Sequence, residues 1–144
     1  PAIKNLYDLS IDTSLDQFSF SEKELKRVRH VVGEKDRTQK LLDAFANGNI
    51  LEAGKCLFGT HDSLSQLFEV SCPETDFLVE QLKSKLVSGA RMIGGGFGGS
   101  ILVLDKQGNR AKIEDEIKSK YQEKFNLQPT FYGFQISDGV SELL

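Results

Sequence analysis

The stretch Arg91-Met92-Ile93-Gly94-Gly95-Gly96-Phe97-Gly98-Gly99-Ser100-Ile101-Leu102-Val103-Leu104 decides the fold, because two apolar runs flank five glycines in six positions. The runs read as strands and the glycines as the loop that joins them. An ordered glycine costs about 0.5–1 kcal/mol relative to alanine. Five of them therefore consume several kcal/mol of a total stability of about 5–15 kcal/mol. Such a loop must need φ > 0, or must let main chain approach a ligand or another segment closely. Three phosphate-binding patterns can be tried on it. Gly94, Gly96 and Gly99 satisfy G-x-G-x-x-G, but that motif requires a helix directly after the loop, and here 100–104 is a strand. No Gly-Lys-Ser/Thr closes the run, which excludes a Walker loop. A protein-kinase glycine loop lies between strands, but the chain carries no V-A-I-K, H-R-D or D-F-G segment. An ordinary hairpin needs only one or two glycines.

Upstream of the loop the pattern is helical. Ser21 and Glu24 form a capping-box signature, and Leu25, Val28, Val31 and Val32 follow on one face. Residues 33–40 are without apolar side chains. Thr38 holds the stripe's place until Leu41, Leu42 and Phe45 resume it, which predicts one long helix with a polar middle, ended by Asn47-Gly48. Asn49 and Glu52 cap a second helix, with Ile50, Ala53, Leu57, Leu64 and Leu67 or Phe68 inward. Pro73, at a first helical position, opens a third with Leu78, Leu82 and Leu86, stopped by Ser88-Gly89. After the two strands, 90–93 and 100–104, Ile113, Ile117, Tyr121 and Phe125 recur at i+4 spacing and predict a fourth helix. A last strand is expected over 130–136. Residues 1–20 read either as a short strand or as irregular chain. The whole is expected to be one α+β domain over 1–144, an antiparallel sheet packed with about four helices. It divides into a leading segment 1–20, a helical part 21–87 and a strand–loop–strand–helix–strand part 88–144.

The 144 residues are 39% apolar and 27% charged, as in a globular protein. A net charge of −3 and a pI of 5.4 argue against a nucleic-acid surface. No apolar run approaches the roughly 20 residues that span a bilayer, so no membrane is expected as partner. Cys56 and Cys72 lack metal spacing and read as reduced thiols of a cytoplasmic protein.

Other polar residues read as structural. His30 sits beside Val31 and Val32, as a hydrogen-bonded histidine would. His61-Asp62-Ser63 holds the residue types of a triad, but neighbours on a helix point in different directions. Arg29, Glu34 and Arg37 are suited to pairs that orient the long helix. Glu114, Asp115 and Glu116 read as a solvated early helix turn, favourable to the helix dipole.

Three segments carry a resemblance. Gly89-Ala90-Arg91-Met92-Ile93 with the glycines resembles the third signature of the GHMP small-molecule kinases, in its galactokinase form. Arg27-Val28-Arg29-His30-Val31-Val32-Gly33-Glu34 is similar to the Arg-His-Val-x-x-Glu helix of galactokinases. Glu69-Val70-Ser71-Cys72-Pro73-Glu74-Thr75-Asp76 is similar to their Ser-Cys-Pro-Glu-Leu-Asp turn, and Phe131-Tyr132 with Ser137-Asp138-Gly139 agrees with their C-terminus. Ile93 stands where the family usually carries threonine, Ser100 replaces cysteine or alanine, and Thr75 replaces leucine.

The resemblance implies a ferredoxin-like GHMP-kinase C-terminal domain. It implies a parent enzyme that transfers the γ-phosphoryl group of ATP to the C1 hydroxyl of galactose with Mg2+, in the cytoplasm, as a step of galactose metabolism. The family's sugar-binding segment, phosphate loop and catalytic Asp and Arg belong to an N-terminal lobe that nothing in 1–144 matches. The chain is therefore expected to be the C-terminal lobe alone, inactive in isolation. No catalytic residue and no metal ligand are expected in it. Its cleft residues are expected to be Gly94, Gly95, Gly96, Phe97, Gly98 and Gly99, and its partners galactose, ATP and the N-terminal lobe. Two other functions remain open: a non-catalytic sugar- or partner-binding sensor module of the same fold, and the lobe of another GHMP sugar kinase.

Overall fold

A computed structural model describes residues 3–83, 87–105, 108, 110–134 and 138–139. Four α-helices and a two-stranded antiparallel sheet follow in the order α1 (Glu22–Ala46), α2 (Ile50–Ser63), α3 (Pro73–Leu82), β1 (Val87–Ile93), β2 (Ser100–Asp105), α4 (Arg110–Phe125). The fold is α+β, and the helix starts lie where the caps predict them. Ser21 Oγ accepts from the Glu24 N–H (3.3 Å) while the Glu24 carboxylate accepts from the Ser21 N–H (2.8 Å). Asn49 accepts from the Glu52 N–H at 3.1 Å. At α3 Thr75 Oγ1 accepts from the Cys72 N–H (3.1 Å) and donates to the Cys72 carbonyl (3.0 Å). The threonine that departs from the family pattern thus supplies a helix cap.

The polar middle of α1 is held by α2. Arg37 Nε donates to Glu34 at 2.7 Å, and the Thr60 hydroxyl of α2 donates to the same carboxylate oxygen at 2.9 Å. Gly33 and Gly59 leave room for the Arg37 side chain, since a Cβ on either would lie 3.1 or 3.3 Å from it. Thr38, placed on the stripe by the sequence, is exposed; Arg37 takes that role. Leu42 and Phe45 also face outward, as does Ile50, while Ala44 is buried.

Residues 1–20 form no strand at the described positions. Two 3-10 turns, Leu6–Asp8 and Leu15–Gln17, lay Leu9 onto Val28 and Val32 of α1, with Leu6, Leu15, Phe18 and Phe20 around it. A second core joins Val79 and Leu82 of α3, Val87 and Ala90 of β1, and Ile113 and Ile117 of α4. Tyr121 of α4 is buried too, on the face its spacing predicts.

Three boundaries differ from the sequence reading. Ser88-Gly89 does not stop a helix: β1 already runs from Val87, and its register to β2 slips between Val87 and Gly89. The bulge presses backbone against α2, where a Cβ on Gly54 would lie 1.8 Å from the Ser88 carbonyl oxygen and one on Gly89 would lie 2.5 Å from Gly54 Cα. Gly89 is a contact, not a terminator. Secondly, α2 ends at Ser63 and passes into a π-helical turn, Leu64–Phe68, which turns Phe68 off the face expected for it. Thirdly, 130–134 forms no strand: Phe131 packs on the second core while Tyr132 and Phe134 are exposed, so the aromatics do not alternate across a sheet. Gln135, Ile136, Ser137 and Leu86 lie outside the described residues.

Candidate active-site loop

Ile93 pairs with Ser100, so the hairpin loop is 94–99. Five of its six residues have positive φ: Gly94 (91°), Gly96 (92°), Phe97 (59°), Gly98 (135°) and Gly99 (100°). Glycine enters that region at no steric cost, which accounts for four of the five glycines. Phe97 does so against its Cβ, at a cost of about 1–2 kcal/mol, and the residue is 77% exposed.

Among the described residues one backbone hydrogen bond pins the loop to another segment. The Phe97 N–H donates to the Val70 carbonyl at 2.6 Å, and a Cβ on Gly96 would stand 2.7 Å from that same oxygen. Gly96 is therefore glycine twice over, for φ and for contact. Gly95 is the exception, because its φ is not in the left-handed region and a Cβ built on it meets nothing within 4 Å. Neither conformation nor packing within the described residues requires glycine there.

Val70 is set by a buttress of three segments. The π-helical turn brings the Leu64 carbonyl to the Val70 N–H (3.0 Å). Arg27 of α1 donates through one guanidinium nitrogen to the Leu67 carbonyl and through another to the Glu69 carboxylate (2.6 Å), which Lys26 also meets at 3.2 Å. These hydrogen bonds hold the Glu69 carboxyl below the usual carboxylate range. His30 stacks on Phe68 with centroids 4.5 Å apart, and its Nδ1 lies 2.8 Å from Ser63 Oγ. His30 is thus buried and hydrogen-bonded, as the sequence reading expects.

His61 lies behind β1. Its Nδ1 is 3.2 Å from the Met92 N–H, so it accepts there, and its Nε2–H donates to Asp76 at 3.1 Å; Ser65 donates to the other Asp76 oxygen at 3.0 Å. Burial pushes the imidazole below its ordinary value, against the opposing pull of Asp76. Asp62 instead pairs with Lys83 at 2.8 Å and Ser63 with His30, so the three neighbours make no triad. A groove of about 560 Å³ is lined by His61, Asp62, Asp76, Phe77, Lys83 and Lys124, and by no residue of the loop. Its carboxylates Asp62, Asp76 and Glu80 already have protein partners, and Lys124 lies 4.3 Å from the Phe77 centroid. Glu114 and Glu116 pair at i,i+4 with Arg110 and Lys120; since α4 begins at Arg110, they lie beyond the first turn where the dipole acts.

Apart from the exposed Phe97, the loop offers main chain. Such runs of backbone amides in turn conformations form anion-binding concavities. Among the described residues no group of three or more His, Cys, Asp or Glu is placed to hold a metal ion. No described helix is long and apolar enough to cross a membrane.

Residues 41–123, more than half of the chain, match the family described as GHMP kinases C terminal, and the chain belongs to that family. Within it, the chain is similar to galactokinases. It is 44% identical over 119 residues to the galactokinase of Thermotoga neapolitana and 44% identical over 120 residues to that of Thermosipho africanus. It is 35% identical over 145 residues to that of Lactobacillus helveticus. A crystal structure of Lactococcus lactis galactokinase complexed with galactose superposes with a TM-score of 0.84 at 34% identity, covering 92% of this chain and 35% of that one. The Thermotoga neapolitana and Thermosipho africanus matches likewise take in 82–83% of this chain but 34% of each relative, so the chain spans about a third of their length.

Proposed function

We propose that the chain is the C-terminal lobe of a cytoplasmic galactokinase, in which 94–99 forms one wall of the site where the γ-phosphoryl group of ATP passes to the C1 hydroxyl of galactose. The similarity to galactokinases, one of them solved with galactose, supports the reaction class. The single observation that carries the loop's part is Gly95. A glycine that neither φ nor internal packing requires is what a close approach from outside the chain would need.

The loop fits one edge of a phosphate site, since it presents main chain without a carboxylate that would repel an anion. When bound, Mg2+-ATP supplies the phosphoryl group and neutralises its developing charge. This chain's contribution is to position and to exclude water. The base, the fixed cation and the metal ligands are assigned to an N-terminal lobe docked against the loop.

Gly95→Ala in the full-length protein tests this. Gly96→Val is less informative, since it would collide with the Val70 carbonyl whatever the loop does. A methyl at 95 should leave the melting temperature within about 2 °C while lowering kcat/KM about tenfold or more, or about 1.4 kcal/mol, in a coupled ADP-release assay with galactose. Unchanged turnover would mean that the loop is only a turn.

A further inference from the structure

We propose that Arg27 and Glu69 are positioning residues for the glycine loop, acting through the Val70 carbonyl on the amide of Phe97. The three non-glycine residues with positive φ are Glu69 (59°), Phe97 (59°) and Asn126 (54°) among those described. Asn126 closes α4 and Glu69 closes the π-helical turn, its N–H reaching the Leu64 carbonyl, and left-handed residues are common at such ends. Glu69 and Phe97 differ from Asn126 in what they flank. The first two flank one hydrogen bond: Glu69 precedes the Val70 that accepts it, and Phe97 donates it. Two strained residues persist together only where their surroundings over-determine them.

The surroundings are on α1. Arg27 grips the turn twice, at the Leu67 carbonyl and at the Glu69 carboxylate, and its guanidinium also lies 5.7 Å from the Phe68 centroid. A fork that meets a carbonyl and a carboxylate at once fixes the direction of the chain between them, as a lysine's point charge does not. Residues 67–69 are held left-handed at Glu69, Val70 follows, and its carbonyl oxygen is delivered 2.6 Å from the Phe97 nitrogen. The Glu69 and Val70 N–H groups also reach the Leu64 carbonyl, and Lys26 also meets the carboxylate. On this proposal those bonds hold the turn but do not aim it, and without the Arg27 fork the Glu69–Val70 peptide is free to rotate. The Val70 carbonyl then turns away, and the loop loses the one hydrogen bond that joins it to the 69–72 turn.

An ion pair this exposed (26% for Arg27, 44% for Glu69) contributes little to stability. Its effect on the loop is therefore separable from its effect on the fold. Lys83–Asp62 is a matched control: 2.8 Å, similarly exposed (34% and 44%), and without a bond to the loop.

The test is amide hydrogen exchange and steady-state kinetics on the full-length protein for Arg27→Met, Glu69→Gln and the control Lys83→Met. Glu69→Gln is the milder change and keeps the test informative if Arg27→Met folds poorly. Expected is exchange of the Phe97 amide about tenfold faster in both variants, with the Met92 amide unchanged. The kinetic arm rests on the sugar-kinase reading above: kcat should fall about five- to tenfold while the KM for galactose moves less than about twofold. Lys83→Met should do neither. If Phe97 and Met92 accelerate equally, or Phe97 not at all, the positioning role is overturned. If Phe97 alone accelerates while kcat holds, the positioning role stands and the loop's part in turnover, proposed above, falls instead.

Discussion

Gly54 and Gly95 should answer alanine in opposite ways. Gly54 lies in α2, where alanine is intrinsically favoured by about 1 kcal/mol. Its Cβ, however, would stand 1.8 Å from the Ser88 carbonyl oxygen, and the neighbour is backbone that cannot swing aside. Gly54→Ala must push α2 off β1, and we expect a loss of at least about 3 kcal/mol in urea unfolding. Gly95→Ala meets nothing and should leave stability unchanged or raise it by about 0.4–1 kcal/mol through the unfolded chain. Equal losses at the two sites would mean that the backbone contact between α2 and β1 is not what holds the sheet in place. The sequence alone does not separate these two glycines. Gly54 looks like a weak point in a helix and Gly95 like one of five in a loop, because what distinguishes them is a neighbour 34 positions away for one and an empty space for the other.

At the scale of elements, two histidines sit where helices meet. His30 faces Ser63 and Phe68 between α1 and the π-helical turn, with Glu34, Arg37 and Arg27 near it; His61 joins α2 to Asp76 of α3 and to β1, with Asp62 and Lys83 near it. Burial is the larger influence on both and lowers both from 6.5. Above that value neither the folded nor the unfolded chain holds the proton. Below it the unfolded chain takes up protons that the folded one resists, so stability is full above about pH 6.5 and falls as the pH drops toward the folded values. Protonation of His61 Nδ1 would also set an N–H against the Met92 N–H. Urea midpoints should therefore fall from pH 7.5 through 6.5 to 5.5. His61→Gln, less stable at pH 7.5, should show a shallower decline; parallel declines would count against it. Glu24 and Glu69, whose carboxyls are held low, act below this window.

The same scale shows what was legible. Helix starts were, because caps are local: Ser21 with Glu24, Asn49 with Glu52 and Cys72-Pro73 each lie within four residues of what they cap. The strands about the glycines were too, by their change of period. The π-helical turn was not, since Leu64, Leu67 and Phe68 continue a helical spacing while the chain shifts by one hydrogen bond. Nor was the buttress, because Arg27, Glu69, Val70 and Phe97 lie 27, 42 and 70 positions apart in the chain and meet only once it is folded. The early start of β1 was hidden by Ser88-Gly89, whose small residues signal a stop when they serve a contact.

For the whole molecule, the arrangement of charge and backbone gives a last expectation. The loop carries no ionisable side chain between Gly94 and Gly99, the one exposed aromatic on it is Phe97, and the chain spans about a third of its relatives. Main-chain amides on one wall hold an anion weakly when the fixed cations and metal ligands lie elsewhere. A ligand stabilises a fold by RT ln(1 + [L]/Kd), about 2.7 kcal/mol at a hundredfold excess over Kd, which for a chain of this size is a rise of several degrees in melting temperature. The isolated 144 residues should therefore melt cooperatively, with a shift under about 1 °C in millimolar Mg2+-ATP and galactose, and should release no ADP. The full-length protein should shift by several degrees and turn over. Robust ADP release by the isolated chain would overturn the proposed division of labour between two lobes, because it would place the base and the phosphate cations within these 144 residues, whose loop carries neither.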